Sequence, residues 1–328
     1  MASPSVSRRV TAAGYFFALT AGALWGTTGP LSTALYAEGV DVTGVGFWRV
    51  LLATLGFLLY GLFRRDLFRV NRRGLILVGG IGGSIVATFE VAYQFTIAGI
   101  GVAGAATLLY LAPMLVAVLA LPLLGERITV LRIALALVVL FGVALTVTGQ
   151  TDPEDTLPPM FSSPWIIGVI AGTLSALAYA GSTLLARWAV PRYGSLRVLF
   201  MEILGGTVIL AILLPLLGHA PAPPTSSAGW VLVVGLGIGS VLAANLFFFA
   251  GVKRIEAAPT AIAASVEPVV GTLLALVLFG QGLTWAGWLG LMLVVGGVAT
   301  GYAETGEAAE DHGVAPAAGS SSETESAT

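Results

Sequence analysis

The sequence has no cysteine, only two histidines and little charge, since 10% of its 328 residues are charged. The absence of cysteine excludes disulfides, thiolate catalysis and cysteine-ligated metals. His219 and His312 fall in a predicted loop and in the C-terminal tail, so a histidine metal site has little support. Walker A, nucleophile-elbow and His-Glu metal motifs are missing. Neither ATP-driven transport by this chain nor an intramembrane enzyme is therefore supported, and no cofactor, metal or nucleic acid partner is expected.

Apolar residues dominate what is present. The chain is 57% hydrophobic with a mean hydropathy of +0.95, which indicates a multi-pass protein whose main partner is the lipid bilayer. The runs are continuously apolar rather than alternating with period two, which predicts an all-α membrane protein instead of a barrel. Ten runs are long enough to span, at about 13–37, 43–63, 74–98, 102–124, 128–149, 164–188, 196–217, 228–252, 258–280 and 284–302.

Basic residues predict the orientation of these spans. With ten helices, fourteen of the fifteen lysines and arginines fall on one side, and only Arg49 falls opposite. Because positive charge marks the cytoplasmic side, we expect both termini in the cytoplasm and the chain in the inner, or plasma, membrane. Arg49 then lies near the end of the second helix, where it is interpreted as an interfacial anchor.

An internal repeat divides the chain. The stretches GAATLLYLAPMLVAVLALPLLGERIT and PTAIAASVEPVVGTLLALVLFGQGLT align at an offset of 155, which pairs Pro113 with Pro268. Each proline predicts a helix break. Five helices in each half place the copies in opposite orientations, so the prediction is two inverted five-helix repeats around a central cavity. The predicted domains are a first repeat at 13–149, an extracytoplasmic linker at 150–163, a second repeat at 164–302 and a disordered cytoplasmic tail at 303–328.

Polar residues inside the predicted spans mark candidate binding sites. Glu90, Tyr93 and Gln94 share one face of the third helix because they are spaced i, i+3, i+4, and offset 155 relates this face to Asn245 and Phe248. These two faces predict opposite walls of a cavity. The alternative is a network of hydrogen bonds that only holds the helices together.

Glu267 lies deep in the ninth helix, directly before Pro268. A carboxylate beside a helix break can bind a cation, a substrate amine or a proton, and its alternative is a protonated residue bonded to a nearby carbonyl. Further cavity candidates lie on the first, fourth and sixth helices, where plain helix packing explains them equally well: Trp25, Thr28, Tyr110, Tyr179 and Ser182. Glu202 is assigned a structural role within reach of cytoplasmic basic groups.

Three segments resemble the drug/metabolite transporter superfamily, in particular its EamA-type members. They are GALWGTTGP at 22–30, WRVLLA at 48–53 and the repeated proline-to-Gly-polar stretch at 110–129 and 265–284. Gln281 departs from the glutamate that is frequent in the family's second copy. The resemblance implies ten helices in two inverted repeats, a cavity lined mainly by helices 1, 3, 4, 6, 8 and 9, and export of amino acids, metabolites or toxic organic compounds.

The hypothesis from sequence is a secondary transporter that exports small zwitterionic or amphiphilic metabolites by alternating access. Its partners are a small-molecule substrate and, as a candidate coupling ion, the proton. Glu90 and Glu267 are the candidates for the substrate amine or that proton. No lysine or arginine is expected at mid-membrane depth, which favours zwitterionic or cationic solutes. Efflux of cationic drugs and a passive facilitator or channel are the alternatives, and the oligomeric state is open between monomer and homodimer.

Overall fold

A computed structural model of the chain describes residues 4–116, 119, 130–152, 157–255 and 257–311. The predicted turn from Gly125 to Thr129 lies outside these residues, as does the tail beyond Asp311. The described α-helices are α1 (Pro4–Gly26), α2 (Thr28–Ala37), α3 (Val42–Phe63), α4 (Arg72–Gly74), α5 (Gly83–Leu109), α6 (Val130–Thr148), α7 (Ser163–Tyr193), α8 (Ser195–Leu216), α9 (Ser227–Val234), α10 (Ala244–Ile255), α11 (Ala257–Ala264), α12 (Glu267–Phe279) and α13 (Trp285–Asp311).

Shorter elements complete the all-helical fold. Residues 112–116 form a helical stretch, Arg65–Phe68 a 3-10 turn, and Leu75–Gly82 and Gly235–Ala243 are π-helical segments. Two two-residue strands, β1 (Gln150–Thr151) and β2 (Gly282–Leu283), pair antiparallel and join the linker to the turn before α13. The sequence did not predict this pairing. Helix α13 continues to Asp311, so residues 303–311 are helical where disorder was predicted.

Six helical stretches of the described chain are long and apolar enough to cross a membrane. They are Val42–Phe63, Arg72–Leu109, Ser163–Tyr193, Ser195–Leu216, Ser227–Ile255 and Pro259–Phe279, and two shorter apolar helices are Ile133–Thr148 and Trp285–Thr300. The predicted span at 13–37 is divided at Thr27, and the span at 102–124 runs into residues that are not described. The count of ten therefore stays a prediction.

Two helix breaks lie at equivalent places in the two halves. A turn at residues 110–111 separates α5 from the helical stretch at 112–116, and a turn at residues 265–266 separates α11 from α12. The offset is 265 − 110 = 155, as in the repeat. Pro113 and Pro268 each lie in the first turn of the helix that follows, where a missing N–H leaves no helical hydrogen bond unmade. Each proline thus restarts a helix directly after the break.

The most extensive helix contacts join the two halves of the chain: α5 packs on α7, α6 on α13, and α1 on α10. The α6–α13 contact is reciprocal, because a Cβ added at Gly142 would lie 2.9 Å from Val294 and one added at Gly297 would lie 2.8 Å from Val139. Both pairs are related by the repeat, since 142 + 155 = 297 and 139 + 155 = 294. Equivalent residues of the two halves therefore make equivalent contacts.

Glycine also permits direct backbone contact between halves. An added Cβ at Gly205 of α8 would lie 1.8 Å from the carbonyl oxygen of Gly79, in the first π-helical segment. Only a residue without a side chain fits at this distance. Small residues let helices in a membrane approach closely enough for dispersion contacts to hold them together.

Helix α3 begins at a side-chain cap. Asp41 accepts hydrogen bonds from the backbone N–H of Thr43, at 3.0 Å, and of Gly44, at 3.4 Å, and also from the Thr43 hydroxyl. Partial burial acts to raise the pKa of the Asp41 carboxyl, but these hydrogen bonds outweigh it and the pKa is lowered. The cap fixes where α3 starts and hence the depth of the residues that follow.

We expect Asp41→Ala to destabilise the protein by about 1 kcal/mol, because two helix N–H groups lose their acceptor. Because the folded-state pKa is lowered, the charge contributes stability above the ordinary pKa of 3.8 and loses it as the pH falls through the folded-state value. Asp41→Asn keeps an acceptor, so it should retain most of the stability without this acid dependence. Thermal unfolding in detergent between pH 3 and 7 measures both, and equal melting temperatures for wild type and Asp41→Ala would contradict the cap's contribution.

Candidate functional site

A cavity of about 330 Å³ lies between the two halves and is lined by helices from both. This volume is within the range of small-molecule sites. The lining includes ten of the eleven residues predicted to bind substrate, namely Trp25, Thr28, Glu90, Tyr93, Tyr110, Tyr179, Ser182, Asn245, Phe248 and Glu267. Pro113 also lines it, whereas Gln94 and Pro268 do not.

Gln94 does not line the cavity. Its side chain is fully buried, and its Oε1 accepts a hydrogen bond of 2.7 Å from the Tyr36 hydroxyl of α2. The same hydroxyl lies 3.1 Å from the Gln94 carbonyl oxygen. Gln94 therefore ties α5 to α2, and the prediction that it faces the cavity was wrong. Tyr36 was not among the predicted site residues.

Arg49 and Glu90 form a buried ion pair on the cavity wall. Arg49 Nη1 donates to Glu90 Oε2 at 3.0 Å, and the residues are 6% and 4% exposed. The expectations that Arg49 is an interfacial anchor, and that no arginine lies deep in the protein, were wrong. Arg49 lies seven residues past Val42, which is about 10 Å along the helix. The other fourteen basic residues fall on the predicted cytoplasmic side and Arg49 does not. This exception was the feature of the sequence that could have indicated a buried role for Arg49.

Glu267 is one of the two cavity carboxylates that the second half contributes. It begins α12 directly after the break at residues 265–266 and lines the cavity. Within the part of the chain that is described, it makes no hydrogen bond or ion pair, and it interacts electrostatically with Arg49 and Tyr93. Offset 155 relates it to Ala112, which also lines the cavity. The two halves therefore place different side chains at this position, one charged and one apolar, although their helices break at equivalent residues.

Glu202 is a third carboxylate on the wall. Ser182 of α7 donates a hydrogen bond to it, at 3.3 Å and 3.2 Å from its two oxygens, and the residue is 4% exposed. Among the described residues no basic group pairs with it, although its predicted role depended on nearby cytoplasmic charges. Glu202 therefore belongs to the cavity together with Ser182.

Aromatic rings form the apolar part of the wall. Trp25 lies 5.2 Å from Phe248 between ring centroids, and Phe89 lies 5.5 Å from Tyr93 and 6.1 Å from Tyr179. Asn245 donates its Nδ2 to the Val241 carbonyl at 2.8 Å, which leaves its amide oxygen as the group that can accept from a ligand. Aromatic faces beside carboxylates suit a ligand that carries a cationic group and an apolar part.

Both halves of the chain match the model of the EamA-like transporter family, at residues 12–148 and 166–301. An uncharacterised transporter of Archaeoglobus fulgidus is 27% identical over 277 residues, which cover 84% of this chain and 92% of the relative. A pseudopaline exporter of Pseudomonas aeruginosa is 28% identical over 60% of this chain and 63% of its own length. A probable terminal-alkyne amino-acid exporter of Streptantibioticus cattleyicolor is 25% identical over 74% of this chain and 78% of its own.

A solved crystal structure has the same fold, with a TM-score of 0.63 and 23% sequence identity. The alignment covers 90% of this chain and 99% of the other. At this identity the likeness concerns the fold alone. The two family matches together span most of the sequence and agree with the apolar helices found above. The chain belongs to the EamA-like transporter family and is a multi-pass membrane transporter rather than an enzyme.

Proposed function

We propose that the chain exports small zwitterionic or amphiphilic metabolites, amino acids or related compounds, across the inner membrane by alternating access. The observation that carries this proposal is the cavity between the halves, which combines an arginine, carboxylates and aromatic rings. Such a site offers a partner to each charge of a zwitterion and an apolar wall to its side chain. Ten helices in two inverted five-helix repeats are part of the same proposal.

The reciprocal contacts support the inverted arrangement. Along α6, from Val139 to Gly142, the contacts on α13 move from Gly297 back to Val294, so the two helices run antiparallel. Two equivalent helices that pack antiparallel through equivalent residues are related by a two-fold axis perpendicular to both. An axis of this kind lies in the membrane plane and inverts one repeat relative to the other.

Contacts between loops support the predicted sides of the membrane. Ser226 donates to Glu38 at 2.6 Å, and the linker strand β1 pairs with β2, so loops assigned to the outside contact one another. On the opposite side, Arg197 in the first turn of α8 donates through Nε to the carbonyl of Asp66 in the 3-10 turn at 2.8 Å, and both residues lie at the side assigned to the cytoplasm. The names of the two exporters among the relatives agree with outward transport, and one of them names an amino acid.

Glu267→Gln is expected to lower amino acid flux about tenfold or more. Glutamine keeps the size and polarity of the side chain, but a hydrogen bond to a charged partner is worth about 1.5–3 kcal/mol and is weakened when one charge is removed. Flux of a panel of amino acids in proteoliposomes measures the effect. Glu38→Gln, at an exposed helix end, is the matched control and should transport as wild type does. Unchanged flux in Glu267→Gln would remove the residue from the mechanism.

Export of cationic compounds is a second candidate function. Three carboxylates line the cavity, Glu90, Glu202 and Glu267, against one arginine. This excess of carboxylates over cationic side chains also complements a cation that lacks an acidic group. Resistance of an efflux-deficient bacterial host that expresses the protein, measured with a panel of cationic drugs, separates this candidate from metabolite export. Full sensitivity to every drug would argue against it.

A further inference from the structure

We propose that Arg49 is a substrate-binding residue that determines specificity, because it binds the anionic group of the solute while Glu267 binds the cationic group. The substrates are then compounds that carry a carboxylate or similar anion together with an amine, rather than simple amines. This inference rests on the proposed export function and narrows its substrate class. It assigns Arg49 a role that the sequence did not predict.

The first observation is the incomplete hydrogen bonding of Arg49. A guanidinium has five N–H donors, and the contact with Glu90 uses Nη1. Its Nε is buried and has no hydrogen-bond partner among the described residues. Buried donors are normally satisfied, because an unpaired one has lost its hydrogen bond to water without gaining another. The Glu90 contact also leaves other guanidinium donors without an acceptor among the described residues, and because Arg49 lines the cavity, a solute carboxylate there can accept from the donors that face it.

The second observation is how charge is divided between the halves. Arg49 comes from α3 in the first half and Glu267 from α12 in the second, and the two interact electrostatically. Among the described lining residues, Arg49 is the one cation. A solute with both charges gives each of these side chains an opposite partner. A solute with only the anion leaves Glu267 without an opposite charge, and one with only the amine leaves the remaining donors of Arg49 without an acceptor, so both are less favourable.

The ion pair with Glu90 keeps Arg49 in place when the cavity is empty. A lone buried guanidinium would be costly, since it cannot lose its proton. Glu90 neutralises the charge through one nitrogen and leaves other donors of the fork for a ligand. Glu90 is therefore a positioning residue, and the amine of the solute is left to Glu267, which has no hydrogen bond or ion pair among the described residues, whereas Glu202 accepts from Ser182.

Three probes with the same ring test this assignment: one carries both charges, and each of the other two lacks one of them. They are L-phenylalanine, phenethylamine without the carboxylate, and 3-phenylpropionate without the amine. The double variant Arg49→Gln/Glu90→Gln removes both charges of the pair, so that neither is left buried alone. Flux in proteoliposomes and thermal stabilisation in detergent are measured for each probe, and a second triplet based on leucine checks the generality.

We expect the double variant to lose about ten- to a hundredfold of its preference for phenylalanine over phenethylamine, because the carboxylate loses a charge-assisted partner. Glu267→Gln should lower the flux of both of these probes and the stabilisation that they give, since both carry the amine. Arg49→Lys, with Glu90 intact, should restore part of the preference because it keeps the charge without the planar fork. Arg197→Gln is the matched control, since offset 148 relates Arg197 to Arg49 and it lies outside the cavity lining.

Three other outcomes would contradict the role of Arg49 or the proposed export function. Equal losses for phenylalanine and phenethylamine in the double variant would make the Arg49–Glu90 pair purely structural and overturn this inference, while export itself would stand. Wild-type protein that handles phenethylamine but no zwitterion would also overturn it, in favour of cation export. If the wild type neither transports nor is stabilised by any probe or amino acid, the proposed function fails together with the inference.

Discussion

Glu90→Gln is expected to destabilise the protein by about 3–5 kcal/mol, because it leaves the Arg49 guanidinium buried without an opposite charge. Arg49→Gln should cost less. The remaining carboxylate can be neutralised by a proton, whereas an arginine cannot be deprotonated in a protein. The double variant Arg49→Gln/Glu90→Gln should be the most stable of the three, because it retains polar groups and leaves no buried charge.

Thermal unfolding of the four proteins in the same detergent measures this order. The cycle gives the interaction between the two side chains directly, because the effects of distant substitutions add and those of partners do not. The exposed pair of Arg64 and Asp66, with an N–O distance of 3.5 Å, is the matched control and should contribute less than about 1 kcal/mol. Additive effects of the Arg49 and Glu90 substitutions would show that the ion pair is not formed in solution.

Gly205→Ala is expected to abolish the correctly folded protein. The new methyl group would lie 1.8 Å from the Gly79 carbonyl oxygen and 2.7 Å from the carbonyl carbon, so no side-chain rotation can relieve the clash. Helix α8 and the segment Leu75–Gly82 would have to separate along their contact. Dispersion between closely packed helices would be lost there, and lipid cannot replace it with the same complementarity.

Gly296→Ala is the matched control for this substitution. Gly296 also lies within an apolar helix, but no atom lies within 4 Å of an added Cβ. Alanine favours a helix by about 1 kcal/mol over glycine, so this variant should be as stable as wild type or more stable. Size-exclusion chromatography of detergent extracts compares the yields of monodisperse protein. A normal yield for Gly205→Ala would mean that the two backbones are further apart than the structure places them.

The internal repeat and the helical spacing predicted the helix breaks and most of the cavity residues. They did not predict which neighbouring helix an individual side chain contacts. The offset of 155 between Pro113 and Pro268 predicted two equivalent helix breaks, because a proline limits the backbone wherever it occurs. The cavity residues Glu90 and Tyr93 were predicted because a polar group in an apolar helix needs a partner. Local chemistry and helical spacing suffice for both inferences.

The contact partners of Gln94 and Arg49 could not be inferred in this way. A spacing of i, i+3, i+4 defines a face of a helix, but that face is wide enough to contact two different neighbours. Gln94 contacts α2 while Glu90, one turn away, faces the cavity. Arg49 was judged by its distance along the chain from a predicted loop. Its partner is 41 residues away, and only the packing of α3 against α5 brings them together.

The backbone contact at Gly79 and Gly205 has a consequence for biosynthesis. The main packing partners of the first-half helices α1, α5 and α6 are synthesised only in the second half. At about 5–20 residues per second, a half of some 150 residues takes about 8–30 s to be made. During that interval the glycine surfaces of the first half face lipid or a chaperone, since their partners do not yet exist. Packing of the two halves against each other therefore begins only as α7 and α8 enter the membrane, and it is completed when α13 reaches α6.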